Sequence, residues 1–152
     1  MNKSLQLPIE IRVTRYQGDI ELAIAFQREA LRDWCLGLCL LKARLIEDLI
    51  ITEQQPGMKV TIRLGSKPDA DRTTRVTIDP ETSLVEISSS HLDNALLFFL
   101  QYYRDGVAGV GHIHLESVDA RTGARNVDVT LRVPDVAPSI SREELERRLQ
   151  GR

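Results

Sequence analysis

The stretch Ile20-Glu21-Leu22-Ala23-Ile24-Ala25-Phe26 decides how the first third of this chain is read. Two periods compete in it. Apolar residues recur at 20, 24, 31, 34, 38, 41, 45 and 49, with a second stripe at 35, 39, 46 and 50. That spacing predicts one amphipathic helix from Ile20 to Ile51, with Asp19 able to cap its start. A helix of about 32 residues would be roughly 48 Å long, more than a compact domain of this size can cover. It would therefore break near Gly37, or project and bury its middle against another chain. The alternative is a second strand over Ile20–Phe26, and the mixed pattern leaves that open.

Outward from this stretch the pattern is clearer. Upstream, apolar residues at 5, 7, 9, 11 and 13 alternate and predict a strand. Pro8 lacks an N–H and puts that strand at a sheet edge, or sits at its first residue. Downstream, Val60, Ile62 and Leu64 predict another strand. Arg75 to Ser89 predicts a hairpin, with Ile78 opposite Val85 and Pro80 opening the loop. Ser90 and Asp93 suggest a capped helix start. Leu92, Ala95, Leu96, Phe99 and Tyr103 give that helix its apolar face, and Gly106 stands where a left-handed residue would end it. Two strands follow, one through Gly111–Glu116 and one over Val127–Val133. Their apolar residues match if Ile113 faces Val133 and Leu115 faces Leu131, which sets His114 beside Arg132 and Glu116 beside Thr130. The expected fold is therefore α+β: a mainly antiparallel sheet of about six strands, with a long N-terminal helix and a second helix on one face. Residues 1–138 form the domain, and 139–152 a weakly docked C-terminal helix or tail. No internal repeat is visible.

A net charge of -2 and a pI near 5.9 argue against a nucleic-acid partner held by phosphate contacts. The first residues lack the apolar run of a signal peptide, and no stretch of about twenty apolar residues could span a bilayer. Cys35 and Cys39 share one helix face and read as buried apolar thiols in a reducing cytosol. No nucleophile elbow, phosphate loop or metal-protease helix is present. Gly109-Val110-Gly111 precedes a strand, so it does not read as a phosphate-cradling loop.

The chemistry concentrates in Gly111-His112-Ile113-His114-Leu115-Glu116. On a strand, His112, His114 and Glu116 point to one side. His112 and His114 could share a metal, with a third ligand from a neighbouring strand. An adjacent Arg132 would disfavour a cation and suit an anion or an acidic partner. His112, His114, Glu116 and Arg132 are the candidate partner-binding residues. His91 reads as a solvated residue of the helix start. Around Trp34–Leu41 every side of the helix is apolar, which one sheet cannot cover. Trp34, Leu36 and Leu40 are therefore expected at the interface of a homodimer or partner complex.

Between residues 75 and 133 the order of features is specific: a hairpin ending Glu86-Ile87-Ser88-Ser89-Ser90, a leucine-rich helix, the Gly-His-Ile-His-Leu-Glu strand, and a closing strand. This segment resembles the immunity-protein family numbered thirty-two of bacterial polymorphic toxin systems. Its members end a helix and then read Gly-His-x-His-Leu and an acid. The resemblance implies a non-catalytic protein that binds and neutralises a toxin made by the same cell; no cofactor is expected. It supplies no toxin-contact residues. The expectation is thus a cytoplasmic protein-binding module without nucleic-acid or membrane partners. The alternative is a metal-binding protein or metal-dependent enzyme using His112 and His114.

Overall fold

The computed structural model describes residues 1–66, 72–106, 111–134 and 142–151. Much of the polar loop after Gly65, the glycine-rich run before Gly111 and the segment after Pro134 lie outside these. The chain runs β1 (Asn2–Leu7), β2 (Ile9–Tyr16), β3 (Asp19–Phe26), α1 (Leu31–Lys42), β4 (Asp48–Glu53), β5 (Lys59–Leu64), β6 (Thr74–Ile78), β7 (Thr82–Ile87), α2 (Ser89–Asp105), β8 (His112–Asp119), β9 (Val127–Arg132) and α3 (Arg142–Gln150).

The long N-terminal helix does not exist. Ile20–Phe26 is the strand β3, joined to β2 by a two-residue turn. Gln17 and Gly18 both have positive φ there, 47° and 87°, the backbone that a tight hairpin demands. The helix begins only at Leu31 and stops at Lys42, where Arg44 turns left-handed at φ 57°. Beyond it, Ile50-Ile51-Thr52 is a β-branched run, and Leu49 and Ile51 are buried on one side of a strand. Apolar residues at 45, 46, 49 and 50 fit helical spacing by coincidence. Gly37 does not break α1. A Cβ there would lie 2.7 Å from Leu49 Cδ1, so glycine lets the helix press onto β4.

Nor is the sheet a mainly antiparallel one of about six strands. Among the described residues nine strands form one mixed sheet in the order β1-β4-β5-β7-β6-β8-β9-β3-β2. Parallel and antiparallel pairings alternate across it. β1 and β2 end opposite sides of this order, yet only Pro8 separates them. The sheet therefore curls until its two ends meet at one proline. There the chain exchanges partners, from β4 along β1 to β3 along β2, and a residue without an N–H suits the exchange. Glu53 closes the seam. It is 1% exposed, and its carboxylate accepts the N–H groups of Ile11 at 2.5 Å and Met58 at 3.1 Å. Two charge-assisted bonds offset the cost of burying it.

A repeat that the sequence hides is visible in the connectivity. β2-β3-α1-β4-β5 and β6-β7-α2-β8-β9 are the same ββαββ unit twice, and each lends its last hairpin to the other through β5–β7 and β9–β3. Two four-strand halves result, β2-β3-β9-β8 and β6-β7-β5-β4, with matching registers. The rung Ile11–Ile24–Leu131–Ile113 answers Val76–Val85–Ile62–Leu49. These apolar rungs share the face on which α1 and α2 pack against each other. Phe26 stacks on Trp34 at 4.6 Å between ring centroids, and Phe99 meets both edge-on at 5.1 and 5.7 Å. Trp34 is thus a core residue, 1% exposed, and not an interface residue. Leu36 is half exposed and Leu40 half buried; Cys35 is buried while Cys39 is exposed. Burial, with Cys39 close by, pushes the Cys35 thiol up to about 11.

Both predicted hairpins form, with registers two residues tighter than expected. Ile78 faces Ser83, and Val76 faces Val85. Ile113 faces Leu131, and Leu115 faces Val129. A shift of two keeps every side chain on its face, so apolar matching could not exclude it. Turn chemistry decides instead. The Asp79 N–H reaches Thr82 O, leaving Pro80-Glu81 as the turn, and the Asp119 carboxylate accepts from the N–H groups of Arg121 and Thr122. Helix α2 is capped two residues earlier than expected, by Ser88 rather than Ser90, with Ser88 Oγ accepting from the His91 N–H, and it ends on left-handed Gly106.

Candidate functional site

The face of β2-β3-β9-β8 opposite the helices is polar, and its rungs can be read from the register. The first is Thr14–Glu21–Asp128–Glu116, the second Arg12–Ala23–Thr130–His114, the third Glu10–Ala25–Arg132–His112. Adjacent strands lie about 4.8 Å apart, so neighbours along a rung are in side-chain reach. His114 accordingly stands beside Thr130 rather than Arg132, and Glu116 beside Asp128 rather than Thr130.

The middle of this face is a hydrogen-bonded network. His114 Nδ1 lies 2.7 Å from Asp128 Oδ2 and 3.1 Å from Thr130 Oγ1. A ring N–H there is shared between the two oxygens, and the Thr130 hydroxyl passes its own proton to Glu21 Oε2 at 3.1 Å. Thr130 is fully buried, with Ala23 as its neighbour on β3. The network fixes the His114 ring and ties β8, β9 and β3 together. His112 packs edge-on to His114 at 4.9 Å between centroids. Among the described residues, no three His, Cys, Asp or Glu side chains are grouped to hold a metal ion.

A cleft of about 790 Å³ opens at the end of these strands where β2 meets β3 and β8 meets β9. Four carboxylates line it, those of Asp19, Glu21, Glu116 and Asp128, against the guanidiniums of Arg72 and Arg125. His91 also lines it. It does not join His112 and His114, and it is half-buried rather than solvated. Thr74 Oγ1 accepts the Ser88 N–H at 2.9 Å and is hydrogen-bonded to His91 Nδ1 at 2.6 Å. Burial pushes the His91 pKa down, and nearby Glu116 pulls it partly back. No sequence signal placed Glu21, Asp128, Thr130 or His91 in one site, because they sit on three elements, β3, β9 and α2, that only the curled sheet brings together.

At the other end of the same strands is a smaller notch of about 350 Å³, lined by Glu10, Ala25, His112, Arg132 and the backbone around them. The site residues expected from the sequence are therefore split. Glu116 borders the acidic cleft, His114 holds the centre, and His112 and Arg132 stand at the basic end.

The chain matches no protein-family model, and no curated protein is similar to it.

Proposed function

We propose that the protein is a non-catalytic binding module, a cytoplasmic immunity protein that neutralises a cognate bacterial toxin by docking it on the polar face of β2-β3-β9-β8. The carrying observation is the cleft in which Asp19, Glu21, Glu116 and Asp128 converge beside the His114–Asp128–Thr130–Glu21 network. An excess of carboxylates in the cleft favours a cationic guest, so the toxin presents a lysine or arginine there. Complementary charge of this kind speeds encounter and sets orientation. The toxin class itself rests on the Gly111–Glu116 motif. No helix among the described residues is long and apolar enough to cross a membrane.

The test is co-expression with the toxin-like product of the neighbouring gene. Growth is rescued by the wild type and not by a Glu116→Lys/Asp128→Lys variant that remains folded. Equal rescue by that variant would remove the acidic cleft from the interface. No rescue by the wild type would remove the immunity reading.

Self-association is a second proposal, resting on α1. Leu36 is 50% exposed there, and Leu97, Leu100 and Tyr103 are exposed on the adjoining α2. Leaving such side chains in water forgoes roughly 1.5–3 kcal/mol each relative to burial. Light scattering at tens of micromolar should then show twice the chain mass of 17.2 kDa, reverting to one chain in Leu36→Glu/Leu40→Glu. A monomeric wild type would refute it.

A further inference from the structure

The notch at the basic end carries an inference of its own, drawn from the other half of the sheet. The rung Glu10–Ala25–Arg132–His112 occupies the place that Arg75–Glu86–Arg63–Asp48 holds there. Arginine stands at the same position in both. Arg63 is clamped by the Asp48 carboxylate through two bonds, Nε–Oδ1 at 2.7 Å and Nη2–Oδ2 at 3.0 Å, and Glu86 is its neighbour on the other strand. In the notch, His112 replaces the aspartate and Ala25 replaces the glutamate. Arg132 thereby loses both carboxylates, and among the described residues it makes no hydrogen bond or ion pair. Ala25 also leaves open the volume that a longer side chain would fill, and the notch of about 350 Å³ lies there.

We propose that this notch is a carboxylate-binding site, in which an acidic side chain of the docked partner supplies to Arg132 the carboxylate that Asp48 supplies to Arg63. The guanidinium presents a planar fork of N–H donors matched to the two oxygens of a carboxylate. A ring N–H of His112 adds a donor from the next strand. Glu10 sets the charge of the guest. It lies two strands from Arg132, roughly 10 Å away, and pairs with Arg12 at 2.5 Å. Its negative charge on the wall favours a monoanion over a dianionic phosphate. The identity of the guest as a partner's side chain rests on the docking proposal above; the site itself can be probed without the partner.

The experiment is a titration of the isotopically labelled full chain with acetate, and separately with phosphate, at constant ionic strength. The Arg132 Nε–H and His112 ring resonances are followed by NMR. Acetate should give saturating shifts with a roughly millimolar dissociation constant. They should vanish in Arg132→Gln, vanish in His112→Asp, which supplies the missing carboxylate internally, and persist in Arg63→Gln. Shifts that stay linear in acetate, or that survive in Arg132→Gln, would overturn the site. Tighter saturation by phosphate than by acetate would overturn the carboxylate assignment. If acetate saturates while no toxin binds, the notch stands and the docking proposal falls. If the toxin binds while acetate does not saturate, the notch falls alone.

Discussion

Arg132 and Arg63 occupy matching positions in two halves of one sheet built by the same connectivity, yet one is free and the other is clamped. The contrast extends along the whole polar face. Where β2-β3-β9-β8 carries Glu21, Asp128 and Glu116, the matching rung of β7-β5-β4 carries Thr82, Lys59 and Thr52. Where one half has Ala23, Thr130 and His114, the other has Leu84, Thr61 and Ile50. The backbone asks the same of both halves, so these differences are not needed to form strands. In the β4-β5-β7 half Asp48 and Arg63 satisfy each other. The other half leaves a cleft of carboxylates at one end and an uncompensated guanidinium at the other. The first arrangement serves stability, and the second is the one on which the proposed recognition rests.

The comparison can be broken most severely at the seams. Glu53 and Ser117 are matched positions on β4 and β8, but their bonds differ. Glu53 satisfies two backbone N–H groups, whereas the Ser117 hydroxyl only donates to the nearby Leu115 carbonyl at 2.7 Å. Glu53→Ala would leave the buried Ile11 N–H and the half-buried Met58 N–H unpaired, at a cost of about 2–4 kcal/mol. Ser117→Ala should cost less than about 1 kcal/mol. Urea unfolding of the two variants measures this, and equal losses would mean that the sheet does not close on Glu53.

Acid should act unevenly as well. The folded pKa of His91 lies below its ordinary value, so the unfolded chain takes up its proton first. Its contribution is therefore present above the usual histidine range of about 6.5 and is lost as pH falls through the folded pKa. The matching position on the other unit is Ala30, which cannot titrate. Thermal unfolding from pH 7 down to pH 5 should show a falling Tm, and His91→Ala should flatten that slope. An unchanged slope would contradict the burial assigned to the ring.

The smallest expected effect concerns the arginines. The Arg63 guanidinium, bonded to Asp48, holds the Asp48 carboxyl below the usual carboxylate range. That pair therefore stabilises above about pH 4 and is lost in stronger acid. Asp48→Asn should cost no more than about 1 kcal/mol and remove that part of the acid sensitivity. His112→Asp should gain a similar amount by making the second half resemble the first. Denaturant midpoints at pH 7 and pH 3 test both.

Several of these features were legible in the sequence. Both later hairpins and the glycine end of α2 follow from period and turn chemistry, whereas the single strand expected over Leu5–Val13 is two, β1 and β2, parted at Pro8 and paired with different neighbours. The single-helix reading of 20–51 failed because Ile20, Ile24 and Leu31 satisfy helical spacing while Ile20, Leu22, Ile24 and Phe26 satisfy strand spacing. Only the Gln17-Gly18 turn separates the two. The internal repeat stayed hidden because it preserves connectivity and register, while among the polar positions compared only Thr61/Thr130 and Arg63/Arg132 keep the same residue. Of the site, the His112–Glu116 side was visible. Asp128, Glu21 and His91 were not, since nothing in a local pattern reports that distant strands share a rung.

The most direct measurement compares the two halves in a single binding experiment. The toxin proposed as the partner is titrated by calorimetry into the wild type, into Glu116→Lys/Asp128→Lys, and into the control Thr52→Lys/Lys59→Glu at the corresponding positions. The acidic-cleft variant should lose at least about tenfold in affinity, or roughly 1.4 kcal/mol, while the control binds as the wild type does. Equal affinity for all three proteins, or a loss confined to the control, would contradict the assignment of recognition to the β2-β3-β9-β8 face.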